Sequence, residues 1–91
     1  MPSLYGFAYS ESALRYLEKL PLKYRKQVKG KIDALARNPR PVGSKKLLGV
    51  EDDQEPVFRI RSGDYRILYV IRTKPEHIVV LDIDHRKDVY R

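Results

Sequence analysis

The sequence contains no cysteine, which excludes disulfide bonds and thiolate metal sites. No apolar run approaches the roughly 20 residues that cross a bilayer, and the segment from Met1 to Tyr5 lacks the basic start and apolar stretch of a secretion signal. There is also no internal repeat and no low-complexity segment. We therefore expect a cytoplasmic protein with no membrane partner, and 91 residues allow one compact domain spanning 1–91.

The charge balance is the first positive signal. Lysine and arginine number 19 against 12 for aspartate and glutamate, a formal net charge of +7. Such a surplus attracts polyanions at long range. A face of solvated lysines with no ligand is the alternative explanation for the same excess.

The first half of the chain predicts a strand and two helices. Aromatic residues alternate within Leu4–Tyr9, as in a short strand, and Ser10 is a good N-cap for the helix that follows. Pro21 ends this helix, and a second is expected over Leu22–Arg37, so that the two form a helical hairpin. Gly30 interrupts the second helix at a cost of roughly 1 kcal/mol, and we expect it to serve close packing against the first.

The second half of the chain predicts sheet. Residues 39–56 hold three prolines, two glycines and an acidic run, and are expected to form a connection. The run from Ile78 to Leu81 is apolar at every position, odd and even, which is typical of a strand buried on both faces. The predicted fold class is α+β, with an N-terminal strand and a helical hairpin packed on a small antiparallel sheet. The strands of that sheet are Val57–Arg61, Tyr65–Arg72 and Ile78–Asp84.

Arginines are concentrated in the first predicted hairpin. Gly63-Asp64 is a two-residue turn signal, and a turn there places Arg61 opposite Arg66, with Arg59 on the same face. Like charges in opposition destabilise a hairpin, and a sequence that breaks such a rule more often serves function than stability. Because arginine forks match phosphate oxygens and keep their charge, the pattern predicts a phosphate site.

Structural explanations exist for the same residues. The arginines of an exposed sheet face would diverge from one another or pair with Asp82 and Asp84. His85 follows a strand directly, where a histidine is more often structural than catalytic. Tyr90 lies one residue from the chain end, where a large aromatic either caps a core or enters a site.

Three segments resemble the RelE/ParE superfamily of toxins. Phe58–Tyr69 (FRIRSGDYRILY) looks like the central hairpin of these toxins, and Asp84–Tyr90 (DHRKDVY) looks like their C-terminal histidine-arginine-to-tyrosine segment. Lys45–Gly49 (KKLLG) resembles their connection between helix and sheet. The resemblance covers nearly the whole chain in the same element order, and it implies the RelE-like microbial RNase fold.

The resemblance implies the toxin of a type II toxin–antitoxin pair, with a cognate antitoxin as partner. RelE-like members enter the ribosomal A site and cut mRNA there without a metal or cofactor. The ribose 2′-OH attacks the adjacent phosphate and leaves a 2′,3′-cyclic phosphate. The expected activity is therefore that of a metal-independent endoribonuclease, an mRNA interferase whose partners are the ribosome and mRNA.

The resemblance also implies roles for individual residues. Arg61, Arg66 and Arg86 are expected to hold the phosphate and stabilise developing charge, and Tyr90 to stack on a base or orient the 2′-OH. Arginines replace the lysines that act as bases in some members, and arginine cannot release its proton. His85 is therefore the candidate general base, since the unperturbed histidine pKa of about 6.5 suits proton transfer. The complete candidate catalytic set is Arg59, Arg61, Arg66, His85, Arg86 and Tyr90.

One position departs from the family pattern, which usually has glycine before the histidine-arginine pair. Asp84 stands there in this chain, and its carboxylate is expected to raise the histidine pKa, orient the ring or repel the substrate phosphate. Five more basic residues, outside the hairpin and the tail, are expected to contact RNA or the ribosome. They are Lys26, Lys29, Arg37, Lys45 and Lys46.

The ParE-like branch of the superfamily is the main alternative. It shares the fold but inhibits DNA gyrase by binding, without nuclease chemistry, and it explains the basic helices equally well. The dense arginine patch and Tyr90 favour the nuclease. A relative that only binds RNA is a third possibility, and it predicts no growth arrest on expression.

Overall fold

The computed structural model describes residues 5–86, which form two helices and five strands. Both helices pack on one face of a single sheet whose strand order is β1-β5-β4-β3-β2. Across residues 5–86, no helix is long and apolar enough to cross a membrane. The elements are β1 (Gly6–Tyr9), α1 (Glu11–Lys19), α2 (Leu22–Ala34), β2 (Lys45–Asp52), β3 (Glu55–Ser62), β4 (Tyr65–Thr73) and β5 (Glu76–His85).

The predicted α+β class and the packing of two helices on a sheet are confirmed, and two details differ. The sheet is mixed, because β1 pairs in parallel with β5 and places Phe7 beside Ile78. The predicted connection contains β2, an edge strand that pairs with β3 at both of its ends and is irregular between Lys46 and Glu51. Gly49, at φ +73°, lies in that irregular part, and such interruptions hide a strand from its sequence pattern.

The helix boundaries follow local chemistry. The Ser10 hydroxyl accepts a hydrogen bond from the Ala13 N–H at 3.1 Å, which caps α1 as predicted. The second helix ends at Ala34, and turns continue the chain to Arg37. The packing role expected for Gly30 is wrong, because a methyl group there would meet no heavy atom within 4 Å.

The core lies between the helices and the inner face of the sheet. On β4 it includes Tyr69, whose hydroxyl donates to the Pro39 carbonyl at 2.6 Å. Burial raises the pKa of Tyr69 to about 12, so this phenol stays protonated. On β5, Ile78 and Val80 are buried, whereas Val79 and Leu81 are only partly buried on the outer face. The prediction that this strand is buried on both faces is therefore only half right.

Candidate functional site

The predicted arginine hairpin is confirmed by the pairing of β3 with β4. Ser62 pairs with Tyr65 and Arg61 with Arg66, so Gly63 and Asp64 form the turn between them. Gly63 has φ +59°, in the left-handed region that favours glycine. The turn signal in the sequence therefore placed two arginines directly opposite each other.

A bulge in the β4–β5 pairing decides what else lies beside these arginines. Tyr69 pairs with Val80, but Leu68 pairs with Asp82, so Leu81 is skipped. The Ser10 hydroxyl donates to the Leu81 carbonyl at this point, at 2.6 Å. Residues opposite each other lie on the same face of the sheet. Because Leu81 has no partner on β4, the side chains of residues 82–85 lie on the faces opposite to those that regular pairing would give them.

The outer face of the sheet collects basic residues from three neighbouring strands. Lys45 of β2 pairs with Arg59 of β3, and the Arg61–Arg66 pair lies in the neighbouring row. Arg61 is exposed and Arg59 partly exposed, and within residues 5–86 neither has a carboxylate within 4.0 Å. This surface, the arginine face, is formed by Lys45, Arg59, Arg61 and Arg66.

Two carboxylates of β5 border the arginine face. Asp84 is opposite Arg66 in the sheet and accepts from its Nε at 3.1 Å and its Nη2 at 3.3 Å. This is the pairing that the structural explanation of the arginines anticipated. Burial, and next the Asp84 carboxylate, raise the pKa of Asp82, while the Ile83 N–H and Arg66 act in the opposite direction. The phosphate site expected from the arginines therefore carries negative charge of its own.

His85 lies on the opposite, helix-facing side. It pairs with Tyr65, and the two rings meet edge to face with centroids 5.1 Å apart. Its Nε2 is 3.9 Å from a carboxylate oxygen of Asp64 in the hairpin turn. The expectation that Asp84 orients the histidine ring is wrong, because successive side chains of a strand point to opposite faces. Asp64, which sequence reasoning treated only as a turn residue, is the neighbouring acid.

Arg86 continues the pairing one residue beyond β5. Its N–H donates to the Asp64 carbonyl at 2.8 Å, and its Nε is 3.7 Å from an oxygen of the Asp64 carboxylate. Arg86 lies outside β5, so the alternation of the strand assigns its side chain to neither face of the sheet. Asp64 thus lies between His85 and Arg86 at the end of the sheet.

An aromatic cluster that the sequence did not reveal surrounds Tyr65. Its ring lies 5.9 Å from that of Tyr24 and 6.4 Å from that of Tyr16, between centroids. A cavity of about 310 Å³ opens beside His85, lined among others by Tyr24 and Asp64. The helical spacing of Tyr24 with Val28 and Ile32 is the signal in the sequence, but Val28 and Ile32 are buried whereas Tyr24 is exposed.

The remaining candidate residues are spread over other surfaces. Lys26 and Lys29 are exposed on α2 and Arg37 is exposed in the turn that follows it, and Lys29 pairs with Asp33 at 3.2 Å. Lys46 is opposite Phe58, on the sheet face opposite to that of Lys45. Tyr90, the last member of the predicted catalytic set, lies outside the described residues.

Comparison with known proteins gives a consistent set of relatives. A family model for the ParE toxin of the type II toxin–antitoxin system parDE matches residues 7–90. Toxin RelG of Mycobacterium tuberculosis is 34% identical over 91 residues, which cover 96% of this chain and 97% of that protein.

Solved structures of RelE proteins share the fold. In the archaeal RelE–RelB complex from Pyrococcus horikoshii OT3, a chain with 27% identity matches with a TM-score of 0.76, covering 91% of this chain and 96% of that one. The isolated RelE toxin of E. coli, 28% identical, matches with a TM-score of 0.74 over 94% of this chain and 90% of that one.

Proposed function

Because this chain belongs to the RelE/ParE superfamily of type II toxins, we propose that it is a ribosome-dependent endoribonuclease that cuts mRNA in the A site. The observation that supports this most directly is the arginine face, where neighbouring strands bring Arg59, Arg61 and Arg66 together beside Lys45. Fixed guanidinium groups suit a phosphodiester because they offer paired donors and stay charged. The solved RelE structures that match the chain favour the same branch.

The proposed reaction is an internal transesterification. The ribose 2′-oxygen forms a bond to phosphorus, the bond from phosphorus to the 5′-oxygen breaks, and a 2′,3′-cyclic phosphate remains. The 2′-OH proton passes to a base, and a proton is delivered to the departing 5′-oxygen. Arg61, Arg66 and Arg86 stabilise the charge that develops on the phosphoryl oxygens, commonly the largest catalytic contribution.

His85 is the proposed base, and its position sets the path of the RNA. It lies on the helix-facing side of the sheet, whereas Arg66 lies on the outer side. The two sides meet at the hairpin turn, where Asp64 is close to both His85 and Arg86. We propose that the RNA backbone crosses the sheet at this turn, with the phosphate on the arginine face and the 2′-OH directed towards His85. Tyr90 retains its proposed role in stacking or in orienting the 2′-OH.

The basic residues away from the reaction centre have a proposed role in docking. The residues that would contact ribosomal or messenger RNA are Lys26 and Lys29 on α2, Arg37 in the turn after α2, and Lys45 and Lys46 on β2. Such contacts add affinity that falls with salt and carry no sequence information by themselves. A cytoplasmic location follows from this target.

A cognate antitoxin is the proposed protein partner. The matching structures include RelE–RelB complexes from P. horikoshii and from E. coli. By analogy, an antitoxin encoded with this chain would bind it and block access to the arginine face. Growth arrest on expression of the toxin alone, relieved by co-expression of the antitoxin, is the expected result.

The test of the proposed reaction is to add the protein to a translating extract and map the ends of the mRNA. Codon-phased cuts in the A site that end in 2′,3′-cyclic phosphate are expected. Arg66→Ala should slow cleavage by about 10²–10³-fold, while Arg72→Ala should cut like the wild type. Arg72 is the matched control, since it lies on the same strand and pairs with Asp52 at 2.8 Å away from the hairpin turn. Intact mRNA with folded wild-type protein would contradict the proposal.

Inhibition of DNA gyrase by binding alone is the second candidate, and the ParE family model that matches residues 7–90 favours it. It predicts intact mRNA together with trapped gyrase–DNA complexes. Running both assays on the same preparation separates the two functions.

A further inference from the structure

Asp84 holds Arg66, one of the three arginines that the proposed reaction assigns to the phosphate. Its two oxygens accept from Nε and Nη2 of Arg66, along one edge of the guanidinium group. Both side chains are partly buried, with exposed fractions of 21% for Arg66 and 24% for Asp84. A two-point contact of this kind fixes the plane of the guanidinium, which a single hydrogen bond does not.

We propose that Asp84 is a positioning residue that fixes Arg66 for phosphate binding while weakening the affinity of the arginine face for RNA. Because the guanidinium is planar and its donors lie in that plane, fixing the plane fixes the direction from which Arg66 can meet a phosphate. The inference rests on the proposed function, because it assigns Arg66 to the phosphate.

The electrostatic part of the proposal follows from the neighbouring carboxylate. Asp82 lies on the same face two residues before Asp84 on β5, and its pKa is raised by burial first and by Asp84 next. Two carboxylates on a surface that binds a polyanion oppose binding. Asp84 therefore has two opposite effects: it orders Arg66, which favours the transition state, and it repels phosphate, which disfavours the bound ground state.

These opposite effects separate a positioning role from a purely structural one. If Asp84 only stabilised the fold, its replacement would lower RNA binding and cleavage together, in proportion to the loss of folded protein. If it positions Arg66, replacement tightens RNA binding while it slows cleavage at saturation. The Michaelis constant and kcat then both fall.

The binding experiment uses a mixed-sequence 2′-O-methyl RNA oligonucleotide, which has no free 2′-OH and cannot be cut. Anisotropy titrations at several salt concentrations compare the full-length wild type with Asp84→Asn and Asp84→Ala. We expect Kd to fall about fivefold in both variants, and the salt slope to increase by at most about 0.7, the value for one more phosphate contact on a single strand. An unchanged or weaker affinity in folded Asp84→Asn would overturn the proposal.

The matched control is Asp52→Asn, which removes a carboxylate paired with Arg72 at the far end of β4. Its Kd should stay close to that of the wild type. Equal tightening in Asp52→Asn would show a general charge effect and contradict a specific role for Asp84.

The cleavage experiment measures single-turnover rates at saturating protein on programmed ribosomes. Asp84→Ala is expected to cut at least about tenfold more slowly, with Asp84→Asn intermediate because its amide oxygen still accepts one hydrogen bond from Arg66. Wild-type rates in both folded variants would contradict the positioning role. If the wild type cuts no mRNA, the proposed function fails, but the binding titrations still decide whether Asp84 restrains the arginine face.

Discussion

Ser10 and Leu81 are joined by a hydrogen bond of 2.6 Å, from the serine hydroxyl to the leucine carbonyl, where β5 departs from regular pairing with β4. The same hydroxyl accepts from the Ala13 N–H, so one group caps α1 and binds the bulge. Since the bulge moves Asp84 to the arginine face and His85 to the other, a serine in the first ten residues helps to define the site.

Replacement of Ser10 by alanine should lower the free energy of unfolding by about 1–2 kcal/mol. The variant loses the cap of α1 and leaves a partly buried carbonyl without its donor. Urea unfolding followed by circular dichroism measures the change. Ser12→Ala is the control: the Ser12 hydroxyl is exposed and lies 3.4 Å from that of Ser10, so its loss leaves the cap and the contact at Leu81 in place and should change stability by less than about 0.5 kcal/mol. Equal losses in the two variants would show that the contact at Leu81 contributes nothing.

Gly30→Ala should stabilise the protein by about 0.5–1 kcal/mol. The added methyl group meets no neighbour, and alanine loses less backbone entropy than glycine in a helix. Gly63→Ala should instead destabilise the protein, because Gly63 has φ +59° and alanine in that region costs about 1–2 kcal/mol. Thermal and urea unfolding should place the wild type between the two variants, and a destabilised Gly30→Ala would be inconsistent with the open space beside it.

Asp82→Asn should make the protein more stable at neutral pH, and the advantage should shrink as pH falls. The pKa of Asp82 is raised in the folded state, by burial first and by Asp84 next. Its charged form therefore opposes folding. The cost is complete above the folded-state pKa and is lost as pH falls towards the pKa of the unfolded chain. The gain at pH 7 is on the order of a few tenths of a kcal/mol, because solvent screens this partly exposed group.

Urea unfolding of Asp82→Asn and wild type between pH 7 and pH 4 measures this difference. The asparagine oxygen can still accept from the Ile83 N–H, as Asp82 does at 3.0 Å. Glu18→Gln, which neutralises an exposed carboxylate on α1, is the control for general charge effects. If the stability advantage of Asp82→Asn over the wild type, measured as the free energy of unfolding, increased towards pH 4, the prediction would be contradicted.

His85→Gln should slow mRNA cleavage by about 10²–10⁴-fold if His85 is the base, while the affinity for uncleavable RNA stays the same. Glutamine keeps polar hydrogen bonding but takes no proton at working pH. His77→Gln is the matched control at the other end of β5, where the His77 ring contacts the Pro75 carbonyl. Equal single-turnover rates in the two variants would remove His85 from the reaction.

The sequence was informative wherever a few adjacent residues determine the local backbone conformation. The cap at Ser10, the stop at Pro21 and the turn at Gly63 were each predicted from local preferences and confirmed. The turn also fixed the opposition of Arg61 and Arg66, because a two-residue loop leaves only one pairing. Strand β2 was missed, since its pairing with β3 is interrupted and its sequence does not alternate.

The helical hairpin and the arginine hairpin were therefore predictable, because their geometry depends on residues close along the chain. The acidic groups that meet the arginines were not, because their position depends on the bulge beside Leu81. The hydrogen bond at the bulge comes from Ser10, 71 positions away in sequence. A one-residue shift in pairing exchanges the two faces of a strand, so a contact over that separation sets Asp84 against Arg66 and leaves His85 beside Tyr65.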